Sequence, residues 1–200
     1  PISGTLGRIV SSLTSGADAV LVGPPGCGLS EIARLTGMAL KDQASRFVLM
    51  DCRSVTLWQE AYRQACKDAD DILRRTARPA VLAIDHCGDL EPGEINNLFE
   101  RVSSAMQGKI HARFWVGNLD FRCLEAEHSL KIICNPRSLF LMPEYHRDDL
   151  LRIYSAIGRG RECEWGEAIL YFLHDWCGSD LALVGGLAAY LYGNWRERLY

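Results

Sequence analysis

Short apolar runs alternate along the chain with segments whose apolar residues recur every three or four positions. "ADAVLVG" (Ala17–Gly23) has the length and composition of a buried strand. A few residues later the period changes. Leu29, Ile32, Ala33, Thr36 and Leu40 fall at i, i+3, i+4, i+7 and i+11, one face of a helix. "RFVLMD" (Arg46–Asp51) predicts a second strand. The segment 57–74 predicts a helix with Trp58, Ala61, Tyr62, Ala65 and Ile72 turned inward. "AVLAID" (Ala80–Asp85) predicts a third strand. Pro92 suits a helix first turn, and Ile95, Leu98, Phe99, Val102 and Met106 mark the apolar face of that helix. "HARFWVG" (His111–Gly117) and "SLFLMP" (Ser138–Pro143) complete the strands.

Strands that alternate with helices imply βαβ units and a parallel sheet covered on both faces. After Pro143 the strands stop. Residues 147–157, 165–176 and 180–195 all carry helical periodicity, with "GRGRE" (Gly158–Glu162) between the first two. The expected architecture is therefore an α/β core over residues 1–143, with a five-stranded parallel sheet, followed by a small helical lid over 144–200.

Composition narrows the class. The chain has 200 residues, 48% hydrophobic and 24% charged, as in an ordinary globular protein. A net charge of −3 argues against a dedicated electrostatic grip on nucleic acid. No apolar run approaches the ~20 residues that span a bilayer, and no signal peptide is visible, so no membrane association is expected. The eight cysteines are scattered, with no C-x-x-C pair and no spacing suited to zinc. They read as reduced, buried thiols of a cytoplasmic protein.

The candidate chemistry lies between the first strand and the first predicted helix. "GPPGCGLS" (Gly23, Pro24, Pro25, Gly26, Cys27, Gly28, Leu29, Ser30) fits a phosphate-binding loop, G-x-x-x-x-G-K-[ST], except that Leu29 stands where lysine belongs. Such a loop turns backbone N–H groups, and the positive end of the following helix, onto phosphates. Lysine neutralises the β/γ phosphates, and Ser30 is in the position of the Mg²⁺ ligand. Charge-assisted hydrogen bonds contribute about 1.5–3 kcal/mol each, so the missing lysine would cost roughly 10- to 100-fold in affinity. Taken alone, the loop reads equally as a weakened nucleotide site and as a tight turn without a ligand. Asp85, at the end of the third strand, suits coordination of Mg²⁺ through water. Asn118 follows the fourth strand. Ligands of open α/β sheets bind at these carboxyl ends, so Ser30, Asp85 and Asn118 are expected to converge on one crevice.

Together these segments resemble the AAA+ and STAND-type P-loop ATPases, over nearly the whole chain. "GPPGCGLSEIAR" resembles Walker A, "AVLAIDH" resembles Walker B, and "FWVGN" resembles the strand leading to sensor 1, with Asn118 in the sensor position. "SLFLMPEYHRDDLLRIY" resembles the fifth strand and the entry to the lid. The resemblance implies ATP or ADP with Mg²⁺, held by residues 23–30 with Ser30 and Asp85 at the metal, and assembly into a homo-oligomer or a larger complex. It also marks departures. Leu29 replaces the lysine. His86 stands where the family usually has the glutamate that orients water; a histidine can serve as a general base, or simply cap the loop. "GSDLALVGG" carries Asp180 and Ala182, and no arginine, in the neighbourhood of sensor 2. Arg137 suits either an interfacial arginine finger or a surface pair. The expectation is a degenerate ATPase-like module that senses nucleotide or serves assembly, its nucleotide and Mg²⁺ binding weakened or lost. An active ATPase and an ATP-gated adaptor on nucleic acid are the alternatives.

Overall fold

The structure is a computed structural model that describes residues 2–40, 46–53, 58–118, 139–142, 144–161 and 164–197. It divides into two compact units: Pro1–Gly23 with Leu29–Met142, and Pro24–Gly28 with Pro143–Tyr200.

The first unit is built on five parallel strands: β1 (Ala19–Val22), β2 (Phe47–Asp51), β3 (Ala80–Asp85), β4 (Ile110–Gly117) and β5 (Leu139–Leu141). Their order is β2-β3-β4-β1-β5. β1 pairs with β4 (Val20 opposite Trp115) and with β5 (Val20 opposite Leu139), while β3 pairs with β2 and β4. This is the parallel sheet that the alternation of runs predicts. β1 and β3 are buried at every position, which explains why their sequences are continuously apolar.

The two faces of the sheet receive alternate residues. Ala19 and Leu21 of β1, with Val81 and Ala83 of β3, pack beneath α1 (Ile2–Thr14) and α2 (Leu29–Ala39), against Ile9, Leu13, Ile32 and Ala33. Val20 and Val22 pack with Leu82 and Ile84 beneath α3 (Trp58–Thr76) and α4 (Pro92–Ala105). The apolar stripe expected on α2 is the face that is buried, down to the Thr36 hydroxyl, which donates to the Ile32 carbonyl at 2.7 Å. Of the stripe expected on α3, Trp58, Tyr62, Ala65 and Ile72 are buried, joined by Ala69.

Helix α1 has no counterpart among the sequence-based expectations. Its signal is the spacing of Leu6, Ile9, Val10 and Leu13, at i, i+3, i+4 and i+7, diluted by Gly4 and Gly7. Helix α4 starts where Pro92 suggests, with a reciprocal capping box between Glu91 and Glu94. The second strand begins at Phe47 and the fifth spans Leu139–Leu141, each slightly shorter than its sequence run.

The second unit contains α5 (Arg147–Arg159), α6 (Glu167–Cys177) and α7 (Leu181–Glu197). Leu150, Tyr154, Leu173, Cys177 and Val184 form its core. The buried Tyr154 ring turns its hydroxyl onto the Gly178 carbonyl, so the polar atom of the largest core side chain is satisfied at the α6–α7 turn. Among the described residues, no helix is long and apolar enough to cross a membrane. Cys27, Cys52, Cys87 and Cys177 are buried.

Candidate functional site

Parallel strands align their carboxyl ends, and this alignment gathers the acidic groups. Asp51 ends β2 and Asp85 ends β3, directly opposite one another in the ladder. Asp85 is 4% exposed. The next residue, His86, takes the left-handed conformation (φ 58°, ψ 28°), one that histidine tolerates better than most side chains. The turn is fixed at both ends. The His86 N–H donates to Asp85 Oδ1 at 2.9 Å, and the His86 carbonyl accepts from the Asp89 N–H at 3.0 Å. A short 3-10 turn, Cys87–Asp89, then leads toward α4.

This backbone swings the His86 ring across the ends of the strands. Its Nδ1 lies 3.1 Å from Asp51 Oδ1 and 3.4 Å from Asp85 Oδ2. Its Nε2 lies 3.3 Å from the Ser30 hydroxyl, at the start of α2. Arg53 closes the outer side of the cluster. Its Nη2 is 2.5 Å from Asp51 Oδ2, and its backbone N–H donates to Asp51 Oδ1 at 3.0 Å. Burial pushes the Asp51 carboxyl up, but the Arg53 hydrogen bonds and the neighbouring His86 outweigh it, so Asp51 titrates below the usual aspartate range. Burial, aided by the charges of Asp51, Asp85 and Asp89, pushes the Cys52 thiol up to about 12. Burial likewise raises Cys87. Neither thiol is a nucleophile at neutral pH.

Of the residues expected to converge, Ser30 and Asp85 are brought together through His86. Asn118 sits at the carboxyl end of β4 and is exposed, with its backbone against Gly88. Arg137 lies outside the described residues. Asp51 and Arg53 are additions that motif reading misses. Asp51 could have been found by the rule that found Asp85, a carboxylate closing an apolar strand.

The glycine loop shows how a helical unit holds a backbone turn. Gly26 and Gly28 have φ of 75° and 94°, values that L side chains adopt only with strain. Residues 24–28 group with the helical unit. There the Leu181 N–H donates to the Gly26 carbonyl at 2.9 Å, and the Tyr145 hydroxyl donates to the Cys27 carbonyl at 2.8 Å. A Cβ built on Gly26 would collide with the Asp180 carboxylate, which also caps α7 by accepting from the Leu183 N–H at 3.0 Å. A negative charge therefore lies against the loop where the family resemblance calls for a cation. Leu29, in the lysine position, packs against the apolar cluster beneath α1 and α2.

Mg²⁺ bound as the resemblance implies would lie between the Ser30 hydroxyl and the Asp85 carboxylate. The His86 imidazole stands in that space, in contact with both. Among the described residues, no group of three or more His, Cys, Asp or Glu is arranged to hold a metal ion. The residues as placed do not fit the ion.

A parallel sheet in this order, with helices on both faces and a glycine loop joining β1 to α2, is the fold of the AAA+ P-loop ATPases. No family model matches the chain, and no curated protein does. Solved structures do. The chain is similar to Cdc6p from Pyrobaculum aerophilum (TM-score 0.57, 16% identity, over 76% of this chain and 47% of that one). It is similar to the Thermotoga maritima RuvB Holliday junction branch migration motor (TM-score 0.59, 17% identity, over 94% and 59%). It is also similar to the replication initiator DnaA bound to AMPPCP and single-stranded DNA (TM-score 0.58, 11% identity, over 92% and 58%). The chain thus spans about half to three-fifths of the length of these structures.

Proposed function

We propose that the protein is a degenerate AAA+/STAND-like module that senses nucleotide or serves assembly, with ATP hydrolysis weak or absent. One observation carries this reading. His86, in the place of the water-orienting glutamate, faces Ser30 with Nε2 at 3.3 Å and two carboxylates with Nδ1 at 3.1 and 3.4 Å. A general base must be within reach of the proton it removes, and Nε2 of this ring faces the Ser30 hydroxyl. Leu29 and Asp180 support the same reading, since one withholds a positive charge from the loop and the other adds a negative one. Any nucleotide would then be held mainly by backbone N–H groups of residues 23–30 and by the helix dipole. Asn118 would sense the phosphates from the end of β4. Residues 1–143 would act as the core and 144–200 as the lid of a subunit in a homo-oligomer or larger complex, in the cytoplasm.

The test is turnover and affinity on the full chain. ATP hydrolysis should stay below about 1 s⁻¹, under the usual range of enzymes. Turnover above that rate, abolished by Asp85→Ala, would overturn the reading. Leu29→Lys should tighten ATP by ~1–3 kcal/mol, the range of charge-assisted hydrogen bonds.

A second reading, an ATP-gated adaptor on nucleic acid, draws on the similarity to a structure described with single-stranded DNA and to a branch migration motor. The net charge of −3 opposes it. Fluorescence anisotropy with labelled single-stranded DNA, with and without ATP, separates the two. Binding that appears only with ATP would favour the adaptor.

A further inference from the structure

We propose that His86 takes the place of the divalent ion, so that the phosphate site at the strand ends works without metal and excludes it. The inference rests on the nucleotide reading above for its ATP arm, and on the cluster geometry alone for its metal arm.

Two groups would have to hold the ion, the Ser30 hydroxyl and the Asp85 carboxylate, and one side chain touches both. Nε2 of His86 is 3.3 Å from Ser30 Oγ, and Nδ1 is 3.4 Å from Asp85 Oδ2 and 3.1 Å from Asp51 Oδ1. The buried Nδ1 lies within ion-pair distance of the two carboxylates without being aligned on either as a hydrogen bond, so it sits between them rather than on one. The main chain that carries the ring is fixed. It is pinned in the left-handed region by the hydrogen bonds to Asp85 and Asp89, and the His86 side chain is only 24% exposed.

The carboxylates are served without a metal. Asp51, which could otherwise join Asp85 at an ion, is taken by Arg53 through its side chain and its backbone N–H. An Mg²⁺ ion demands near-octahedral oxygen ligation at about 2.0–2.1 Å and keeps several waters. Here the ligand that would face Ser30 is an imidazole nitrogen, and the space for ion and waters holds a ring. Removing the ring while keeping the turn should therefore expose Ser30 and Asp85 together and create a metal site.

The experiment compares wild type with His86→Asn, whose side chain tolerates the left-handed backbone and is too short to bridge, and with His86→Gly as a second variant. The first readout is ATP affinity by calorimetry in Mg²⁺ and in EDTA. The second is Mn²⁺ alone, followed by electron paramagnetic resonance. In wild type, ATP affinity should agree within about twofold in the two buffers, and Mn²⁺ should stay free. In either variant Mn²⁺ should bind, and Mg²⁺ should tighten ATP by about fivefold or more, the lower end of typical coupling between two ligands. The proposal is overturned if wild type binds Mn²⁺ or gains about fivefold or more in ATP affinity from Mg²⁺. It is equally overturned if both variants keep wild-type circular dichroism and neither binds Mn²⁺. Should ATP bind in neither buffer, the nucleotide reading fails, and the Mn²⁺ comparison still decides whether His86 holds the metal's place.

Discussion

Leu29 packs against the apolar cluster of the sheet, and Asp180 brings a carboxylate against Gly26. Asp180 also caps α7, and asparagine caps a helix as well as aspartate does. Asp180→Asn thus removes the charge and keeps the cap. A unit charge a few ångströms from a phosphate in a water-exposed site is worth about 1 kcal/mol, and more where solvent is partly excluded. Asp180→Asn should therefore bind ATP several-fold more tightly than wild type, with its unfolding midpoint unchanged, as measured by calorimetry and urea denaturation. Equal affinities would mean that Asp180 does not act on bound phosphate. Asp51 is a residue whose role lies in its partners. In sequence it is one more acidic strand end, and only the ladder sets it opposite Asp85 and beside His86.

At the scale of elements, the critical junction is the one between β3 and α4. The chain leaves β3 through a left-handed histidine and passes so close to β4 that Gly88 lies against the backbone of Asn118. A Cβ there would overlap main-chain atoms, which cannot move aside as a flexible side-chain end can. Cys87 adds to the tie by directing its thiol to the Val116 carbonyl at 3.2 Å. Gly88→Ala should cost about 1–3 kcal/mol, as overpacking does, and should displace the His86 turn with it. Gly4→Ala is the control. It lies in α1 with open space around it and should stabilise by about 0.5–1 kcal/mol. Urea denaturation of the two variants beside wild type checks both signs. A Gly88→Ala protein as stable as wild type would show that β4 yields at this point.

At the scale of the molecule, the buried thiols make stability depend on alkaline pH. The Cys52 thiol is held near 12 by burial and nearby carboxylates, and Cys87 is raised as well. In the unfolded chain a thiol titrates near 8.5. Between that value and the folded one, the folded state keeps protons that the unfolded chain has released, so stability falls as pH rises. The contribution is fully present below about pH 8 and should decline from about pH 9 by up to 1.4 kcal/mol per pH unit for each thiol. Urea denaturation at pH 7, 8, 9 and 10 measures the slope. Cys52→Ala should flatten it even while lowering stability through the lost packing.

The sequence by itself determined the five strands and the helices after β1, because periodicity and burial are local properties of a pattern. β1 and β3 are legible as continuous apolar runs, and α2 and α3 as stripes. That leucine, and not lysine, stands at position 29 is likewise read from the residue itself. Helix α1 escaped because its glycines dilute a stripe that only packing against the sheet sustains. The candidate cluster was legible only in its parts. Ser30, Asp51, Asp85 and His86 come from three different βα junctions, and their distances are set by strand order, by the register between β2 and β3, and by one left-handed residue. The collision of Asp180 with a Cβ at Gly26 is likewise invisible in sequence, 154 positions separating the two. Such pairings depend on how distant segments close on one another. Tertiary structure decides them, because no local propensity carries the information.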